Sequence, residues 1–245
     1  MAECGEAAGV QQVALMQHDD GWLERGAHVC HIATGRNDAK SILLPFLHQS
    51  LLNNEFCLFV TGDESPDDWY FELQAFGIDV ADRLLCGALR VIDRREWRPA
   101  TGSLRSLAQA GKAYRLVPWT RFNGARIVYD AAWAMGPDVP AEDLCHWEAT
   151  ATLLFEGLPV RAICQYNLET HSPRVVDGAL RTHPLVLMGQ TLVENPHCEA
   201  EQILEFEPVL NYSSATADEV ARMLSEIHGA GSSPSLARKT FLKGP

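Results

Sequence analysis

Two hydrophobic rhythms alternate along the first two-thirds of the chain. Short runs that are apolar without a break, such as Phe56-Cys57-Leu58-Phe59-Val60, stand between longer segments whose apolar residues return every three or four positions. A run with no polar side reads as a strand buried on both faces of a parallel sheet, and the wider spacing marks a helix with one face on a core. The pattern predicts strands at 28–33, 56–60, 89–93, 125–130, 160–166 and 184–188.

The predicted helices fall between them. The first starts near Ser41, is bent near its first turn by Pro45 and ends at Asn53-Asn54; the second runs from Pro66 to about Phe76 and closes at Gly77. A third runs from Thr101 or Ser103 to Ala113, and the longest from Pro140 to Glu156, stopped by Gly157-Leu158-Pro159. Ser172-Pro173 opens a short helix to about Leu180. Ser65-Pro66-Asp67-Asp68 and Thr216-Ala217-Asp218-Glu219 are capping boxes, the latter opening a last helix to about Ile227. Strands and helices alternating without a two-residue hairpin turn in the first two-thirds of the chain imply right-handed crossovers. The expected fold class is therefore α/β: three layers, a mainly parallel sheet and helices on both faces. Residues 1–21 read as an N-terminal tail, 22–210 as the α/β domain, 211–230 as a C-terminal helical segment and 231–245, rich in Gly, Ser and Pro, as a flexible tail.

Composition narrows the function. A formal charge of −12 and a pI near 5.1 argue against a general nucleic-acid binder. Arg90, Arg94, Arg95 and Arg98 are interrupted by Asp93 and Glu96 and read as a solvated face with local ion pairs. No run of 18 apolar residues and no signal-like start occur, so a cytoplasmic chain without membrane contact is expected. The seven cysteines sit mostly in predicted strands and helices and read as reduced, buried thiols.

Ligands of open parallel sheets bind beyond the strand C-termini. Thr34, Asp63, Glu64, Trp133, Tyr166 and Asn167 fall at or just after such ends and are candidate ligand contacts, with His183 ahead of the last strand as a further one. Asp63 and Glu64 serve equally well as caps of the following helix, and Trp133 and Tyr166 as plugs of the core. Thr34 to Ser41 ends in Lys-Ser as a phosphate-binding loop does, but Thr34 and Ala39 stand where that loop needs glycine and Asp38 adds negative charge. His28, Cys30, His31, Cys145, His146, His197 and Cys198 carry metal-binding atoms in no finger or knuckle spacing, so neither metal nor cofactor is expected. No catalytic residue is assigned, because no Ser-His-Asp order or Gly-x-Ser-x-Gly turn occurs.

Two resemblances meet in these motifs. FLHQSLLNNEFCLFVTGDESPDDWYFELQAFGIDV followed by GALRVID is similar to the helix, strand, acidic loop, helix and third strand of RecA-like ATPases of the circadian-clock type. The wider set HVCHIATG, LLPFLHQSL, CLFVTGDESPDDW, CQYN and RTHPLVLMGQTLVENP resembles the methanogen/methylotroph sensory domain family, MEDS, over roughly residues 22–210. The resemblance implies a RecA-like α/β sensory domain for small hydrocarbon derivatives, usually joined to a DNA-binding or kinase module. Neither module fits in the about 35 residues that follow 210, so output is expected through a partner protein, a regulator or kinase, with a homodimer left open. The segments expected to move are Asp63–Ser65, the stretch after Trp133 and the helix from Thr216. Two alternatives stay open: a nucleotide-binding ATPase or switch using Lys40, Ser41, Asp63, Glu64 and Asp130, and a ligand-free interaction scaffold.

Overall fold

The computed structural model describes residues 11–12, 23–99, 104–135, 139–205 and 215–229. The predicted apolar runs become strands β2 (His28–Ala33), β3 (Phe56–Val60), β4 (Leu89–Ile92), β5 (Ala125–Asp130), β6 (Val160–Asn167) and β7 (Leu185–Met188). They pair in parallel in the order β7-β2-β6-β5-β3-β4. Two further strands lie beyond β7: β8 (Thr191–Glu194) pairs antiparallel with it, and β1 (Gln11–Gln12) pairs antiparallel with β8. Gly189, at φ 56°, leads the two-residue turn from β7 to β8, where a hairpin loop needs a residue free to take positive φ. Helices cover both faces, which gives the three-layer α/β fold expected.

Helix α1 (Arg36–Leu52) begins five residues earlier than the pattern predicts, so Arg36 to Lys40 form its opening turns and Pro45 lies within the helix. Helix α2 (Pro66–Ala75) starts at the expected capping box: the Ser65 hydroxyl accepts from Asp68 N–H, and the Asp68 carboxylate accepts from Ser65 N–H. A short α3 (Val80–Leu85) and α4 (Arg94–Trp97) flank β4. The single helix expected up to Ala113 is instead two, α5 (Leu107–Ala110) and α6 (Lys112–Leu116), separated at Gly111; residues 100–103 lie outside the described ones. Helix α7 (Ala141–Phe155) is followed by α8 (Pro173–Thr182), α9 (Ala200–Glu205) and α10 (Ala217–His228), the last starting at its predicted capping box. Of the expected N-terminal tail, Gln11–Gln12 joins the sheet; the rest of 1–22 and all of 231–245 lie outside the described residues.

Register separates the two faces. Arg126 of β5 donates to the Phe46 carbonyl and Cys57 of β3 to that of Leu47, so odd-numbered β2 and β6 residues, in register with them, face α1. Tyr166 of β6 and His28 of β2 meet α7 on the other side. At the N-terminal end of the sheet Glu55 accepts from both Arg126 (2.7 Å) and Arg161 (2.6 Å), neighbours in register on β5 and β6. One buried carboxylate thus spans two strands whose guanidinium groups would otherwise repel each other.

The seam between α7 and α8 depends on a missing side chain. A Cβ placed on Gly178 of α8 would stand 2.2 Å from Cys145 Sγ of α7. Gly178→Ala is therefore expected to cost about 1–3 kcal/mol of stability, as overpacking does. Adding Cys145→Ala removes the sulfur and should restore most of that loss, since the next nearest atom, Cys145 Cβ, is 3.9 Å away. Urea unfolding of the two single variants and the double variant measures it; independent, additive costs would refute the contact.

Candidate functional site

Two groups of buried polar side chains flank β2 and β6, one on each face. On the α1 face, near the C-terminal edge, His31 of β2 is in register with Gln165 of β6, and Gln165 with Asp130 of β5. Thr61 directly follows β3. His31 is fully buried, and among the described residues neither of its ring nitrogens has a hydrogen-bond partner; the same holds for Gln165 Oε1 and Thr61 Oγ1. Burial lowers His31 to about 4, against the raising effect of Asp38, so the ring is neutral at pH 7. The Asp130 carboxylate accepts from Ala132 N–H and thereby starts the 3-10 turn Ala131–Ala134. Gly62 is demanded by that carboxylate, because a Cβ there would lie 2.4 Å from Asp130 Cγ.

The predicted contacts at this edge are tied up locally. Thr34 donates both N–H and hydroxyl to Asp38 Oδ2, at 2.9 and 3.1 Å, fixing the entry to α1. Asp63 pairs with Arg94, one of the arginines expected on a solvated face with local ion pairs, and Glu64 pairs with Arg36 at the start of α1. Asn167 Oδ1 accepts from Glu169 N–H, and the Asn167 carbonyl accepts from His171 N–H in the turn after β6. Trp133 is buried against Trp147 of α7, ring centroids 5.1 Å apart, and Arg98 donates to the carbonyls of Trp133 and Met135. Residues 136–138 lie outside the described ones.

Tyr166 and His183 belong to the other face. There Glu148 of α7 is fully buried; its Oε1 accepts from Tyr166 OH at 2.5 Å and its Oε2 from Cys164 Sγ at 3.3 Å. Oε2 also lies 3.4 Å from His28 Nε2 and 3.5 Å from His183 Nε2. Burial raises Glu148, against the opposing effects of the His183 charge and the Tyr166 and Cys164 hydrogen bonds, and it lowers His28 and His183 to about 3. Both imidazoles are neutral at pH 7. Glu148 and Gln165 are absent from the candidates that the sequence offers, and His31 stands there only among side chains with metal-binding atoms. Their signal was a polar residue in an apolar context: Glu148 falls on the stripe Leu144, Trp147, Ala151, Phe155 of α7, and Gln165 interrupts the apolar run of β6.

A mainly parallel open sheet whose polar side chains are turned inward beneath its helices defines a three-layer α/β domain built around buried polar groups. Residues 27–184 match the family model of MEDS, the MEthanogen/methylotroph, DcmR Sensory domain, and the chain belongs to this family. Its role is therefore that of a sensory domain. No curated protein matches the chain. Among the described residues no helix is long and apolar enough to cross a membrane.

Asp130 gives this edge a pH dependence. Burial raises it from 3.8 to about 6, the Ala132 hydrogen bond opposes this, Asp63 and Glu64 add to it, and Arg94 opposes it again. Native Asp130 holds its proton up to about pH 6 whereas the unfolded chain gives it up near 3.8, so the stability it contributes is full at low pH and is lost as pH rises through about 6. Asp130→Asn keeps the acceptor for Ala132 N–H and cannot ionise. Its stability should equal wild type below about pH 4 and exceed it by roughly 1–3 kcal/mol above about pH 7. Denaturant titrations across this range measure the difference; a difference independent of pH would refute the assignment.

Proposed function

We propose that this domain binds a small organic effector, a short hydrocarbon derivative carrying one polar group, at the C-terminal edge of β2, β6 and β5 beneath the start of α1. The observation that carries this reading is the row His31, Gln165 and Asp130, with Thr61 beside it, whose buried ring nitrogens, amide oxygen and hydroxyl lack partners among the described residues. Leaving such groups unmet costs about 1–3 kcal/mol each, and a hydroxyl or amine on the effector would meet them.

Signalling then follows from differential affinity: the effector stabilises the arrangement of α1 and the Asp63–Ser65 loop that holds it, and a partner protein, a regulator or kinase, reads that arrangement. The domain performs no covalent chemistry in this reading. Against the nucleotide alternative stands the first turn of α1, which is helical from Arg36, with Lys40 paired to Glu72 rather than presented at a helix start. Phosphate-binding loops keep that lysine at the first turn, beside free backbone N–H groups.

The test is native mass spectrometry of the chain isolated from its own cells, followed by calorimetric titration with short alcohols, methylamines and halomethanes. A released organic molecule, or binding of one of these compounds that Gln165→Leu weakens at least tenfold, is the expected result; the variant removes the amide while keeping its volume. A clean apo mass together with no binding of any of the three classes would overturn the proposal, and a melting-temperature rise with magnesium and ATP that Lys40→Ala abolishes would replace it.

A further inference from the structure

The group on the α7 face lies outside that row and has a chemistry of its own. Four Lewis bases from four segments converge there: Nε2 of His28 at the start of β2, Sγ of Cys164 in β6, Nε2 of His183 just ahead of β7, and Oε2 of Glu148 in α7. These donor atoms all lie within 4.8 Å of one another. Four of the separations are short: His28 to Cys164 at 3.2 Å, Cys164 to Glu148 at 3.3 Å, His28 to Glu148 at 3.4 Å and His183 to Glu148 at 3.5 Å. Bonds of 2.0–2.3 Å to zinc at tetrahedral angles place neighbouring donors roughly 3.3–3.7 Å apart.

We propose that His28, Glu148, Cys164 and His183 form a buried site for one divalent ion of the zinc class, held by two imidazoles, one thiolate and one carboxylate. The hydrogen bonds behind the ligands orient them for it. His183 Nδ1 donates to the Ala179 carbonyl at 2.8 Å. The Thr152 hydroxyl donates to the Thr182 carbonyl at 2.6 Å, and so accepts from His28 Nδ1 at 2.7 Å. Each imidazole is therefore protonated on Nδ1 and turns the lone pair of Nε2 inward, and among the described residues His183 Nε2 makes no hydrogen bond of its own. Such outer contacts are the usual means of fixing a ligating histidine. Tyr166 does the same for the carboxylate, holding Oε1 and leaving Oε2 to face the other three donors.

Charge closes the argument. Binding a divalent ion displaces the Cys164 thiol proton, and the resulting thiolate together with the Glu148 carboxylate supplies two negative charges that neutralise the ion. The complex can then sit in a dry interior without net charge, where an unbalanced ion could not. Mixed nitrogen, sulfur and oxygen donors with four-fold coordination favour zinc over magnesium or calcium, which take six or more oxygens. In the sequence the four residues stand far apart, which is why no ligand spacing announces them.

This inference is independent of the effector site, and its test uses metal alone. Elemental analysis of the whole chain as isolated should give about one zinc per molecule. After removal of metal, Co(II) should restore one equivalent with the visible bands of a tetrahedral centre and a near-ultraviolet thiolate-to-cobalt charge-transfer band. Cys164→Ser should delete the charge-transfer band, and Tyr166→Phe should weaken Co(II) binding roughly tenfold. Folded wild-type protein that carries no metal and takes up no Co(II) would overturn the proposal whatever the variants do, as would a stoichiometric cobalt centre lacking the thiolate band. One equivalent of iron in place of zinc would overturn the choice of ion.

Discussion

Strands β2 and β6 are covered on both faces, so the polar side chains buried on them are cut off from water. This constraint shapes the rest of the molecule. Helix α1 seals one face and α7 the other, so His31 and Gln165 are confined under α1 while His28, Cys164 and Tyr166 are confined under α7. The burial of Glu148 follows from it, since a carboxylate in that position is tolerable only where hydroxyl, thiol and imidazole groups surround it. At the N-terminal end of the sheet the same demand is met by Glu55 between Arg126 and Arg161.

The two faces solve the problem differently. Under α7 the polar atoms point at one another and form a closed set, joined through Thr152 and Thr182 to the backbone of α8 and the approach to β7. Under α1 they run in a row along the strand ends and leave hydrogen-bonding capacity unused. The fit between Gly62 and the Asp130 carboxylate holds that row at its far end, because the strand-to-loop turn after β3 can pass Asp130 only without a side chain. Membership of the MEDS family gives the open row its context as part of a sensory domain.

The six parallel strands and both capping boxes were legible in the sequence, because each rests on a local signal: an unbroken apolar run, or a hydroxyl with an acid three residues on. The β7–β8 hairpin was not. Its turn is Gly189-Gln190 rather than the Asn-Gly that marks such loops, and a four-residue strand at the edge carries little periodicity. The start of α1 was misplaced because Arg36 to Lys40 are all charged or small apart from Asn37, and only the Thr34–Asp38 hydrogen bonds fix where the helix begins. Of the candidate contacts, Thr34, Asp63, Glu64 and Asn167 do share the C-terminal edge, whereas Tyr166 and His183 meet on the opposite face, ring centroids 6.0 Å apart. Strand parity shows that His28 and His31 face opposite ways, but only the fold shows that residues 28, 148, 164 and 183 are neighbours.

Trp133 and Trp147 pack edge to face at the centre of the molecule, with Tyr129 beside them. Trp147 is the residue before Glu148, and Trp133 stands three residues after Asp130. Both indole N–H groups are buried without a hydrogen-bond partner. A tryptophan pair so placed emits at short wavelength and responds to small changes in the field or packing of its surroundings. The domain thus carries, in this pair out of its six tryptophans, an optical probe wired into the same helix and turn that position its two buried polar groups.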